Sequence, residues 1–405
     1  MFFSVNLVNP IHCGKVRQLI CFDVLVFILT YIVSVFISPV ASFAGQAEIF
    51  YRNGLTALSQ NEREKALVAF QHAVELDSTL ANAHFSIGML LKEQGLWGPA
   101  RSALQNAIDA DPDYIVAYCA LGELLIEVFA QIDQAISLFK KAKTIKPKDS
   151  KIHKWLGIAY FRKGQFQNAL AELISSVAID STERQSMYML GLTYTHLENY
   201  EVAIQTFKML IDKDPFHKQA CFNLGNVYVR LGLMGQANAA LQRFREIDLE
   251  DETLTLLEQR VDRDTKDVDA WYQLGRIYAG RRKWQEAIAS LEKCIAFDHQ
   301  SRGHEILGFV YVNLEAYEEA VHHYSIIVQL DPRNSTYRNS LGSVYLMQEK
   351  YELAIEQLEV AARLEPSDAR IQLNLASVYQ KVGNQKLAGQ AYFRYQELQQ
   401  ENADD

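Results

Sequence analysis

The stretch Trp271-Tyr-Gln-Leu-Gly275-Arg-Ile-Tyr278, followed by Ala287 and Leu291, decides the reading of this 405-residue chain. It sets a bulky residue, a small residue and a tyrosine at helical spacing. A second small residue follows twelve places after the glycine, and a large apolar residue four places beyond that. The same arrangement recurs along the sequence. Glycines stand at 54, 88, 122, 157, 191, 225, 275, 308 and 342, with Ala376 in the next place, and the successive steps are 34, 34, 35, 34, 34, 50, 33, 34 and 34 residues. Alanines follow at 66, 100, 135, 169, 203, 237, 287, 320, 354 and 388, and large residues at Phe70, Leu104, Phe139, Leu173, Phe207, Leu241, Leu291, Tyr324, Leu358 and Tyr392. Three residue classes held in one register over ten units mark an internal repeat.

Packing explains the pattern. Two antiparallel helices per unit need small residues where they cross, Gly on the first and Ala on the second. A mid-helix Gly costs about 1 kcal/mol relative to Ala, which close approach must offset. Tyr160, Tyr194, Tyr228, Tyr278, Tyr311, Tyr345 and Tyr379, each three residues after the small position, fill the space around the crossing. Pro112, Pro147, Pro215, Pro332 and Pro366 stop the second helices.

On these residues the chain resembles the tetratricopeptide-repeat (TPR) family, whose unit is a 34-residue helix–turn–helix with the pattern W-x2-L-G-x2-Y, then A, F/L, A and P. Repeat seven shows it almost intact in Trp271, Leu274, Gly275, Tyr278, Ala287 and Leu291. The resemblance covers residues 47–402 and implies an all-α fold, a right-handed α-solenoid of stacked helix–turn–helix repeats. Two departures stand out. Pro99 falls inside the expected second helix of repeat two, so that helix is expected to start near Trp97–Gly98. After repeat six the 50-residue step leaves sixteen extra residues, with Leu254, Leu256, Leu257 and Val261 at helical spacing, which read as a lone extra helix. The expected organisation is therefore six repeats over 47–251, an extra helix or half-repeat joint at 252–267, four repeats over 268–402 and a polar tail at 403–405.

The first 46 residues differ from the rest. Lys15 and Arg17 precede the uncharged run from Val24 to Val40, and small residues follow at Ala41, Ser42, Ala44, Gly45 and Ala47. This is the order of a secretory signal. The run of 17 residues is also about the minimum for a membrane span, so a cleaved signal peptide and an uncleaved anchor both fit. Either places the repeats across the membrane, because the positive end stays inside.

Cys119, Cys221 and Cys294 lie whole repeats apart, beyond disulfide reach, and read as free thiols at core positions. No GxxxxGK[ST], HExxH, GxSxG or CxxCH occurs. His322 and His323 are adjacent, point about 100° apart on a helix, and read as surface residues. The net charge of −9 comes with no basic face or stripe of the kind that marks nucleic-acid binders. No catalytic residue, metal site, cofactor or nucleic-acid partner is expected.

The family resemblance further implies that the first helices line a concave groove, reached by the residues three before and one after each small position. The expected partner groove comprises Tyr51, Leu55, Phe85, Met89, Ile158, Tyr188, Leu192, Phe222, Asn226, Tyr272, Arg276 and Phe309. Aromatic and long aliphatic side chains there suit an extended peptide or an amphipathic helix. Some of them are alternatively available to pack between neighbouring first helices. The carboxylate clamp and the asparagine ladder known in the family are not matched: Lys151 and Lys154 are not continued in later repeats, and Asn223 and Asn226 stand in a single unit. The expected function is a non-enzymatic scaffold or adaptor that binds proteins outside the cytoplasm. It would be periplasmic or anchored in the inner membrane through its N-terminal segment, in a bacterial envelope assembly for secretion, pili, polysaccharide or cell wall. The alternative is a structural protein that forms homo-oligomers through its solenoid ends.

Overall fold

The structure, a computed structural model, describes residues 45–298 and 302–404, with side chains as far as 401. The apolar run from 24 to 40, whether a cleaved signal or an anchor, lies outside the described residues. Every regular element among the described residues is an α-helix: α1 (45–59), α2 (Arg63–Leu76), α3 (Ala81–Glu93), α4 (Trp97–Ala110), α5 (Ile115–Glu127), α6 (Ile132–Ile145), α7 (Ser150–Arg162), α8 (Phe166–Ile179), α9 (Arg184–His196), α10 (Tyr200–Lys213), α11 (Lys218–Arg230), α12 (Met234–Arg263), α13 (Val268–Gly280), α14 (Trp284–Phe297), α15 (Gly303–Asn313), α16 (Tyr317–Leu330), α17 (Ser335–Met347), α18 (Tyr351–Leu364), α19 (Ala369–Lys381) and α20 (Gln385–Asp404). The first helices α3, α5, α7, α9, α13, α15, α17 and α19 each pack on the second helix that follows, and most second helices pack on the next first helix. The fold is an all-α solenoid of stacked helix–turn–helix repeats.

The glycine of each crossing exists for the large residue of its own repeat. A Cβ at Gly191 would lie 2.5 Å from the Phe207 ring, and one at Gly88 would lie 2.8 Å from Leu104 Cγ. Phe70, Leu104, Phe139, Leu173, Phe207, Leu291 and Leu358 are all fully buried. Repeat ten shows the converse. Ala376 carries the Cβ that the other repeats omit, and its partner Tyr392 is 48% exposed.

A second periodic feature lies in the turn inside each repeat. A residue with positive φ ends every first helix: Asn61, Gly95, Ala130, Gly164, Glu198, Gly232, Arg282, Glu315, Glu349 and Gly383. The next residue donates its N–H back to the last turn of the helix, as in Leu96 N to Leu91 O at 2.9 Å and Asn199 N to Tyr194 O at 2.9 Å, which is the Schellman closure. In repeat three the closing bond reaches one residue further, from Gln131 to Leu125 at 2.8 Å. The 35-residue step of the sequence is therefore an extra residue in this turn. As expected, α4 begins at Trp97, and Pro99 falls in its first turn, where a missing N–H is tolerated.

The expected separate helix at 252–267 is corrected. The second helix of repeat six does not stop; it runs unbroken for 30 residues as α12, through Arg263. The reason is the absence of a breaker, since no Gly or Pro occurs between Gln236 and Arg263 and Leu249 takes the place where proline ends other units. Leu254, Leu257 and Val261 then pack on Ala270, Leu274 and Ile277 of α13. Arg281 pins the same helix through Glu250 at 2.7 Å and Asp251 at 2.6 Å. The chain clusters into two compact units, one ending at Ala237 and one beginning at Asn238.

Candidate peptide-binding groove

In the unit ending at Ala237, α5, α7, α9 and α11 lie side by side. The residue three before each glycine reaches toward the start of the next first helix, at a constant offset of 29 residues. Phe85 meets Tyr114 edge-on at 5.6 Å, Lys154 Nζ pairs with Glu183 at 3.1 Å, and Tyr188 packs on the His217 ring at 5.1 Å. Tyr188 also accepts from Asn223 Nδ2 at 3.1 Å. Burial holds the Tyr114 and Tyr188 hydroxyls above the usual phenol range, so both stay neutral donors. Cys119, in the same series, is half-buried, and its thiol is pushed up to about 12, chiefly by desolvation. It is a packing thiol and not a nucleophile.

The expected groove residues separate accordingly. Leu55 and Phe222 are exposed, at 44% and 42%, and offer open apolar surface. Tyr51, Phe85, Met89, Tyr188, Leu192 and Asn226 are half-buried, so each shows one edge to solvent while the rest supports its neighbours. Ile158 is corrected. It is only 3% exposed and cannot face a partner, because α7 is flanked directly by both α5 and α9. In the unit beginning at Asn238, Phe309 is 49% exposed, Arg276 is exposed, and half-buried Tyr272 lies under the Arg302 guanidinium at 5.5 Å. Later in that unit, Asn374 Nδ2 donates to Asn339 Oδ1 and Ser343 Oγ, both at 2.9 Å. Tyr114, Glu183, His217 and Asn374 were missed in the sequence. The constant 29-residue offset from the groove position would have found the first three.

The reading of His322 and His323 is also corrected in part. His322 is exposed, but His323 is 9% exposed and its Nδ1 lies 2.8 Å from Nδ1 of buried His304. The position fifteen residues after the glycine faces the repeat interior. Cys221 and Cys294 are buried and, like Cys119, unbridged. Among the described residues, no three His, Cys, Asp or Glu side chains are grouped to hold a metal ion.

The groove chemistry is thus one of ring edges, aliphatic surface and amide–hydroxyl pairs, carried by one backbone unit repeated ten times. Tetratricopeptide-repeat profiles match residues 188–248 and 268–301, a TPR repeat profile matches 344–383, and a profile described as anaphase-promoting complex, cyclosome, subunit 3 matches 130–210. The chain carries tetratricopeptide repeats. The chain is similar to Superkiller protein 3 of Schizosaccharomyces pombe, 24% identical over 49% of this chain and 17% of that protein, and to BBSome complex member BBS4 of Bos taurus, 22% identical over 67% of this chain and 49% of that protein. The chain thus spans half or less of the length of these relatives. Among solved structures it is similar to PilW, a type IV pilus biogenesis factor, with 16% identity, 49% of this chain and 92% of that chain covered, and a TM-score of 0.45. No described helix is long and apolar enough to cross a membrane. The TPR architecture supports a protein-interaction role.

Proposed function

We propose that this chain is a non-enzymatic scaffold whose first-helix surface binds peptide segments or helices of partner proteins, outside the cytoplasm, in support of an envelope assembly. The observation that carries the binding reading is the exposed Phe222 ring, next in sequence to Asn223, whose amide is already held on the Tyr188 hydroxyl. Rigid aromatic edges with fixed polar neighbours are what peptide-binding hot spots are made of. The extracytoplasmic reading is supported by the order of positive, apolar and small residues over 1–47.

A photo-crosslinking residue at Phe222 is expected to capture a discrete envelope partner, and one at Ile174 on a second helix is not. Equal capture at both, or at neither, would overturn the groove. Alkaline phosphatase fused after residue 405 is expected to be active; an inactive fusion would remove the extracytoplasmic reading.

One observation favours self-association as the second reading. Repeat one carries an apolar cavity of about 410 Å³ walled by Phe50, Val68, Ala69 and His72. If a second copy fills it, light scattering on Val68→Glu will show a lower mass than the unsubstituted chain.

A further inference from the structure

The acidic chain contains one strongly basic stretch. Residues 140–154 hold seven lysines, at 140, 141, 143, 146, 148, 151 and 154, and one acid, Asp149. Averaging charge over the whole sequence hides it, and the reading that no basic face exists needs this correction. The acids around it are engaged. From 114 to 179 they are Glu123, Glu127, Asp133, Asp149 and Glu172, and they pair with Lys92, Arg162, Lys163, Lys146 and Lys143 respectively. Among the described residues, Lys140, Lys141, Lys148 and Lys151 are exposed and none has a carboxylate partner.

Lys141 leads to a concave site. It lies at the rim of a cleft of about 230 Å³ between α4 and α6. Arg101 and Gln105 of α4 and Gln134 of α6 complete the polar rim, and buried Leu121 and Leu125 of α5 form the floor. Arg101 has no carboxylate partner among the described residues. Its guanidinium leans over the Phe129 ring at 5.4 Å and donates to Gln134 Oε1 at 3.4 Å. Of the acids on the flanking helices, Asp109 accepts from Gln105 at 2.9 Å and Asp133 is paired with Lys163. Two cations and two amides thus surround an apolar floor with no carboxylate closing the site.

We propose that this cleft binds an extended acidic protein segment, one carboxylate between Arg101 and Lys141 and a neighbouring aliphatic side chain on Leu121 and Leu125, with the lysines of 140–151 supplying long-range attraction. Charge complementarity makes the choice of partner. A positive patch on a negative protein selects and steers an anionic partner, and an arginine offers a carboxylate a two-pronged contact. The recessed aliphatic floor has no aromatic platform on which bases could stack, and a concave, narrow site does not fit a lipid surface. The cleft has its rim on the second helices α4 and α6 and its floor on α5, and none of its lining residues is a groove position.

The test uses the full chain in detergent and a fluorescent peptide of about twelve residues in which Glu and Asp alternate with Leu and Ser. Binding is expected to be about tenfold tighter than that of the Gln/Asn version of the peptide, roughly 1.4 kcal/mol. It should weaken as salt is raised through the range where the Debye length falls below about 10 Å. Arg101→Gln with Lys141→Gln is expected to lose about tenfold, and Lys141→Glu alone, a change at an exposed site, a similar amount. Ile174→Ala, a change at an exposed second-helix residue outside the cleft and the groove, is expected to change nothing. Equal binding of the neutral peptide, or unchanged binding by the Lys141→Glu chain with its helical circular dichroism intact, would overturn the proposal. So would tighter binding of oligothymidylate or phosphatidylglycerol vesicles than of the acidic peptide.

Discussion

Repeats four and eight solve the same packing position with opposite chemistry. In each, a buried histidine four residues before the glycine reaches the residue nineteen further on. His153 Nδ1 meets Glu172 Oε2 at 2.7 Å, and His304 Nδ1 meets His323 Nδ1 at 2.8 Å. In repeat four the other ring nitrogen faces Pro147 O at 2.9 Å. The ring thus has an acceptor on each side, a carboxylate and a carbonyl. Lys143 Nζ also donates to Glu172, at 2.8 and 3.0 Å. In repeat eight two nitrogens share one hydrogen, and neither ring can add a proton at Nδ1 without breaking the contact. One site pairs a histidine with a carboxylate; the other pairs two histidines through a single shared hydrogen. The repeat backbone fixes where a polar pair sits and leaves its charge free to vary.

Removing the acceptor should separate them most. Glu172→Leu strands the buried His153 ring and the Lys143 ammonium, and breaking such a pair costs about 3 kcal/mol. His323→Leu leaves one nitrogen of His304 without that partner and fills the space, costing about 1 kcal/mol. Hydrogen exchange in α7–α8 for the first variant and α15–α16 for the second gives both values in the intact chain. Equal losses would mean that the two sites are electrostatically alike. Exchanging the chemistry sharpens the comparison. Glu172→His builds the repeat-eight pair in repeat four but deprives Lys143 of its acceptor, so it should cost nearly as much as Glu172→Leu.

Acid should act next most strongly, and on repeat eight. Burial, with His304 and His322 close by, lowers His323 to about 4 from an ordinary value near 6.5. The Tyr311 ring stacks on it at 5.5 Å and 6° and carries no charge at these pH values. Because the folded value lies below the unfolded one, the unfolded chain binds the extra proton between about pH 6.5 and 4. The stability held above pH 6.5 is therefore lost as pH falls through that window. After allowance for partial solvent screening, the loss is on the order of 1–2 kcal/mol. Exchange rates in α15–α16 should rise across that range, and His323→Gln should flatten the rise. A profile unchanged by His323→Gln would assign the effect elsewhere.

The sequence did not reveal these pairs. Gly, Ala and the large residue recur because each touches the others in every unit, so periodicity exposes them directly. The position of Glu172 and His323 is held elsewhere by Ala69, Thr206 and Ser290. It is interior but shallow, and tolerates any side chain that finds a partner, so no residue class repeats there. Adjacent histidines then look like a surface pair, although a 100° step carries only one of them inward. The groove was legible in position and less so in exposure: Tyr188 and Phe85 lie where expected, but neighbouring first helices use half of each surface and all of Ile158. The lone helix at 252–267 failed for another reason. A missing proline permits a helix to continue without requiring it to, and only the packing of Leu254, Leu257 and Val261 on α13 decides the case.

The smallest expected difference between repeats four and eight lies in their turns. Both end the first helix on a left-handed residue, Gly164 with φ +76° in one and Glu315 with φ +59° in the other. Both then close with the same hydrogen bond, Gln165 N to Tyr160 O and Ala316 N to Tyr311 O, each 2.9 Å. Glycine enters this region without the Cβ clash that costs an L-residue about 1 kcal/mol or more, and gives back part of that through the greater freedom of the unfolded chain. Glu315→Gly should therefore stabilise repeat eight by about 0.5–1 kcal/mol, and Gly164→Glu should destabilise repeat four by a similar amount. Neither change touches the buried pairs, so neither should alter the acid response of α15–α16. If Glu315→Gly destabilises instead, the Glu315 side chain is making a contact worth more than the backbone strain it carries, and the turns of the two repeats are not equivalent in the way their hydrogen bonds indicate.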